Sequence, residues 1–117
     1  MRGVLGAHKL ASRKRIAEIF EVGLVGKARH LMVRMLPRDE GPAFVSIAIG
    51  KRLGGAVARN RIRRRVRAAA MAVVGEWPAG DYVIQPRQSA LECPFGEIGA
   101  NLQKARSALR AEKPSTI

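Results

Sequence analysis

After Gly54-Gly55 the hydrophobic period becomes helical: Ala58, Ile62, Val66, Ala69 and Val73 recur at intervals of four, four, three and four. That is the narrow stripe of an amphipathic helix, and what surrounds it is almost entirely arginine. Residues 51–67, KRLGGAVARNRIRRRVR, hold 8 of the chain's 22 Lys and Arg residues and no Asp or Glu. At about 100° per residue, Asn60, Arg61, Arg63, Arg64 and Arg67 fan across the side opposite Ile62 and Val66, while Arg59 and Arg65 flank the stripe. Whatever fold the chain adopts must therefore cover one thin aliphatic seam on this helix. The broad guanidinium face stays in solvent.

A solvated helix face usually mixes signs, because like charges four residues apart repel slightly. Arg59, Arg63 and Arg67 repeat at that spacing without an acid between them, so the face reads as a polyanion-binding surface. Seven of the eight basic residues in the cluster are arginine. The guanidinium fork donates paired hydrogen bonds to phosphate and stacks on bases, which lysine does not do. Asn60 adds an amide suited to a base edge, a 2′-hydroxyl or a neighbouring arginine. Gly54 and Gly55 permit close approach of backbone to a phosphate chain or a left-handed turn. Engagement of about five phosphates implies a slope of log affinity against log salt near −3.5 to −4.5.

The rest of the chain supplies the cover. Of its 117 residues 47% are hydrophobic despite a formal net charge of +13, enough for one packed core at a length that suits one domain. Residues 12–21 have helical spacing through Ile16, Ile19 and Phe20, with Ser12 as N-cap and Gly23 as stop. Residues 27–36 alternate, with Leu31, Val33 and Met35 on one face and His30, Met32 and Arg34 on the other, the pattern of a half-buried strand. The polar turn 37–42 leads to a second, interior strand at 44–49, most economically as a hairpin. A short strand at 81–85 and a last helix at 95–110, striped by Phe95, Ile98, Leu102, Ala105 and Leu109, complete the order. The fold class is α+β, a single-domain α/β sandwich of helix-strand-strand-helix-strand-helix. It spans residues 1–111, and 112–117 read as a flexible tail.

Several chemistries are disfavoured. Cys93 is the only cysteine, so there is no internal disulfide and no CxxC zinc spacing. The N-terminal apolar patch is too short for a signal peptide and no apolar run reaches about 18 residues, which makes the cytoplasm the expected compartment. His8 and His30 read as surface or partly packed histidines, and the 9 carboxylates are scattered. Arg52 stands where a Walker loop requires Ser or Thr. No catalytic and no metal-ligating residue is assigned. Trp77 and Phe95 read as packing residues. A basic membrane helix is disfavoured because the stripe lacks an aromatic anchor, and no preceding helix stands at helix-turn-helix distance for DNA binding.

The run from Gly50 to Arg67, centred on Arg59-Asn60-Arg61 with further arginines a turn later, closely resembles the signature of the bacterial ribonuclease P protein subunit. Phe20-Glu21-Val22-Gly23 at the end of a first helix and Asp81-Tyr82-Val83-Ile84 with Arg87 resemble the family's flanking segments, so the likeness covers about residues 8–110. It implies a left-handed β-α-β crossover, a catalytic RNA and precursor tRNA as partners, and removal of the tRNA 5′ leader. The protein is implied to be monomeric in the holoenzyme. It further implies that the active site belongs to the RNA, with magnesium held mainly by RNA and substrate and none by the protein alone. Lys51, Arg52, Arg59, Asn60, Arg61, Arg63, Arg64 and Arg67 are the implied RNA-binding residues, and Phe20, Arg34 and Arg87 the candidates for leader binding. Departures occur at Ile16 and Arg34, where the family often has aromatics, and at Gly55 and Ala68. The alternative from the residues alone is a ribosomal or RNA-assembly protein without a role in cleavage.

Overall fold

A computed structural model describes residues 4–5 and 13–111; Ser12 as a cap, His8 and the tail at 112–117 lie outside the described residues. The seam expected after Gly55 is the inner edge of α2 (Ala56–Met71), which buries Ile62, Val66, Ala69 and Ala70. Ala70 takes the place of Val73, because the helix ends at Met71 and Val73 is only half-buried beyond it.

The sheet that receives this seam contains β1 (Val4–Leu5), β2 (Leu24–Lys27), β3 (Leu31–Pro37), β4 (Ala43–Ile47), β5 (Gly80–Pro86) and β6 (Arg110–Ala111), in the spatial order β1-β4-β5-β3-β2-β6. β4 pairs in parallel with β1 and β5, and the β5, β3, β2 and β6 neighbours are antiparallel. The two other helices are α1 (Arg13–Val22) and α3 (Phe95–Ser107). Consecutive strand residues point to opposite faces, and the sheet uses both. On one side Leu31, Val33, Val45, Tyr82 and Ile84 pack with Ile62 and Val66 of α2 and Ile98 and Leu102 of α3. On the other, Val83 packs with Ile19 of α1, backed by Ile16, Leu36, Phe44 and Ala48.

Three expectations change. The strand expected at 27–36 is two strands: Lys27 closes β2, residues 28–30 turn, and β3 starts at Leu31. Alternation runs through the turn because His30 is buried by polar partners rather than by a strand face. The hairpin from β3 to β4 does not form, since β5 lies between them and pairs with both. Residues 38–42 bridge the roughly 10 Å across one intervening strand, and β4 reaches β5 through α2 in a parallel crossover. Phe95 is 51% exposed at the start of α3 instead of in the core, because the helix seats on the sheet only from Ile98 onward.

Candidate nucleic-acid interface

Gly54 has φ +123° and ends the 3-10 turn Lys51–Leu53, so the chain reverses sharply before α2. A positive φ favours glycine. Lys51 and Arg52 are exposed on this turn, next to the N-terminus of α2. Along α2 itself Asn60, Arg61, Arg63, Arg64 and Arg67 are exposed, and Arg59 and Arg65 are half-buried beside the seam. Helical periodicity thus placed the α2 members of the cluster, Arg59 to Arg67, correctly relative to the seam.

The half-buried pair separates in role. Arg65 donates through Nη1 to the Ala90 carbonyl at 2.6 Å and through Nη2 to the Cys93 carbonyl, tying α2 to the turn that precedes α3. Its guanidinium is spent on structure. Arg59 has a buried Nε without a hydrogen-bond partner among the described residues. Asn60 Oδ1 accepts from Arg63 Nη1 at 3.0 Å, fixing one guanidinium and leaving its own amide nitrogen outward. Among the ion pairs of the described residues, none joins an Asp or Glu to the exposed arginines of α2.

The opposite sheet face carries the other candidates. Phe20 on α1 is 39% exposed, and the Arg34 guanidinium from β3 lies over its ring at 5.1 Å. Arg34 Nε donates to Gln85 Oε1 of β5 at 2.8 Å. The fold therefore brings Phe20 and Arg34 into one cation–π pair. Phe44 repeats the motif, with Arg38 over its ring at 5.1 Å. Arg87 is exposed just beyond β5, its N–H donating to the His30 carbonyl at 2.8 Å; its position follows the strand end rather than the Phe20–Arg34 pair. Ile16 packs into the small core under α1.

Two features of this face were not legible in the sequence. Asp81, 1% exposed, accepts from Arg15 Nε at 2.7 Å and from Arg38 Nε at 2.9 Å, both on Oδ2. This bond and the carboxylate's charge hold the Arg15 guanidinium above its ordinary pKa, against the opposing effect of burial. Gln85 likewise acts through its contact with Arg34. Both pairings join residues far apart in the chain, which no local spacing announces.

The remaining ligand-type side chains meet elsewhere. His30, Cys93 and Glu97 place one donor atom each within 4.8 Å of one another. No helix among the described residues is long and apolar enough to cross a membrane. Trp77 packs inside, 4.9 Å from the Tyr82 ring, as a core residue.

Comparison with known proteins gives a consistent set. A family model described as Ribonuclease P matches residues 6–110. The ribonuclease P protein component of Bacillus cereus (strain B4264) is 31% identical over 97 residues, covering 81% of this chain and 84% of the relative. That of Symbiobacterium thermophilum is 34% identical over 103 residues, covering 84% and 87%. Among solved structures, the Staphylococcus aureus RNase P protein superposes with a TM-score of 0.72 at 24% identity, covering 86% of this chain and 94% of that one. The RNase P protein from Thermotoga maritima gives 0.72 at 23% identity, covering 85% and 96%.

Proposed function

The chain belongs to the bacterial ribonuclease P protein family, and from that premise we propose how its residues serve the reaction. As the protein component it binds the ribonuclease P RNA, and the two together remove the 5′ leader of precursor tRNA by endonucleolytic cleavage. It is a subunit of an endoribonuclease in which the RNA carries the active site.

The observation that carries the assignment of the RNA contact is the acid-free arginine face of α2, held outward by the burial of Ile62 and Val66. Lys51, Arg52, Arg59, Arg61, Arg63, Arg64 and Arg67 neutralise phosphates, and Asn60 orients Arg63 while presenting its amide to the RNA. Because the helix is locked to the sheet along one seam and to the turn before α3 by Arg65, the points from which the arginines extend form a preset pattern. Phe20 and Arg34 present a stacked ring and guanidinium to the single-stranded leader on the far side of the sheet, with Arg87 as a further phosphate contact.

Magnesium chemistry finds no fit in the protein's own described residues. Magnesium prefers several oxygen ligands, whereas the one ligand group is His30, Cys93 and Glu97, a mixed nitrogen, sulfur and oxygen set. The magnesium ions stay with RNA and substrate, and no magnesium step runs through the protein. The compartment that suits this role is the cytoplasm, with one copy of the protein per catalytic RNA.

Reconstitution with the cognate catalytic RNA at low magnesium tests this reading. The protein is expected to stimulate precursor-tRNA cleavage, and no stimulation would overturn it. Binding to the RNA without stimulation would favour the RNA-assembly alternative.

A further inference from the structure

His30 occupies the turn between β2 and β3, Cys93 ends the segment before α3, and Glu97 lies in the first turn of α3. We propose that these three residues form a zinc-binding site that clips the β2–β3 turn to the start of α3. Their donor atoms lie within 4.8 Å of one another. Donors around a tetrahedral zinc ion stand about 3.3–3.8 Å apart, so the site needs a contraction of about an ångström.

The parts are suited to that contraction. His30 is held: it is 5% exposed, its N–H donates to Asn101 Oδ1 at 2.7 Å, and its Nδ1 bonds Ser89 Oγ at 2.7 Å. A metal-bound imidazole is commonly oriented by a hydrogen bond through its other ring nitrogen, and Ser89 stands in that place. Nε2 then faces Glu97 Oε1 at 2.9 Å. The Glu97 side chain is 50% exposed, free to pivot onto an ion and to leave its fourth position open to water.

Cys93 is a free, buried thiol whose backbone is fixed on both sides. Its N–H donates to the Ser89 carbonyl at 3.1 Å, and its own carbonyl accepts from Arg65. Sulfur, imidazole nitrogen and carboxylate oxygen together select a borderline-soft ion such as zinc over magnesium or calcium. On binding, the Cys93 S–H bond breaks and its proton passes to solvent as the Zn–S bond forms. The His30–Glu97 hydrogen bond breaks, the imidazole keeps its one proton on Nδ1 toward Ser89 Oγ, and the Nε2 lone pair and the Glu97 carboxylate both turn to the metal. The positive end of α3 and the net charge of +13 oppose a cation here. The affinity is therefore weaker than that of closed four-ligand zinc sites.

Titration of the purified full chain with cobalt(II) provides the test. Cys93 is the chain's only cysteine, so a thiolate-to-cobalt charge-transfer band identifies this site and no other. One equivalent is expected to give that band with the visible absorption of tetrahedral cobalt, displaced by zinc, and zinc is expected to raise the thermal midpoint. Cys93→Ser should abolish the band. Glu97→Gln, at a half-exposed position that keeps the fold, should weaken cobalt affinity by about tenfold. Absence of the band in the wild-type chain, or unchanged affinity in Glu97→Gln, would overturn the three-ligand site.

Discussion

At the scale of single residues, arginines of one sequence run do opposite jobs. Arg61 is exposed on α2, whereas Arg65 spends its guanidinium on the Ala90 and Cys93 carbonyls. Arg61→Ala is expected to lower affinity for the catalytic RNA and flatten its salt dependence by roughly one contact's share. Its urea denaturation midpoint should stay unchanged. Arg65→Ala should instead lose about 1–3 kcal/mol of stability, since two carbonyls lose a charged donor; paired RNA-binding and urea titrations separate the two outcomes. Asp81 is a second such case. Asp81→Asn removes the charge from bonds to Arg15 and Arg38, yet those side chains are 24% and 40% exposed and can recruit water. The expected loss is therefore about 1–3 kcal/mol, below that of a wholly buried pair, and it is read by urea denaturation. Periodicity located Arg61 and Arg65 relative to the seam. It did not reveal the partners of Arg65 or the burial of Asp81, because those bonds cross elements.

At the scale of elements, the sequence was most legible where the period was long. α2 and α3 emerged from stripes of aliphatic residues, and β5 from a short apolar run, each close to its observed bounds. β2 was not legible, being four residues long and containing Gly26. That glycine has a physical reason: a Cβ there would stand 1.8 Å from the Ala105 carbonyl oxygen. α3 rests directly on the backbone of β2. Gly26→Ala must push the helix away, and a loss of about 1–3 kcal/mol is expected from overpacking, measured by chemical denaturation. An unchanged midpoint would mean that α3 can shift at no cost. The absent β3–β4 hairpin has a different origin, since β5, which arrives only after α2, pairs with both strands. No turn motif encodes that choice.

At the scale of the whole molecule, Tyr82 reports on the integrity of the core. It is fully buried, donates its hydroxyl to the Pro78 carbonyl at 2.7 Å, and burial pushes its pKa up to about 12, although the Arg106 charge pulls the other way. An ordinary tyrosine ionises near pH 10. Between those values the unfolded chain gives up a proton that the folded chain keeps, so this contribution is whole below about pH 10 and is lost as pH rises toward 12. Tyr82 is the only tyrosine, so phenolate absorbance should titrate near pH 12 in the folded protein and near 10 in urea. The strand that carries it has a larger consequence. β5 is central, with Tyr82 and Ile84 seated under α2 and α3 and Val83 under α1. The two proposed RNA surfaces, the arginine face of α2 and the Phe20–Arg34 pair, are thus anchored to alternate residues of one strand in a molecule 26 Å across its shortest dimension. β5 works as a caliper: an RNA assembly that engages both jaws has to present its two contacts at a gap already set by the thickness of the sheet.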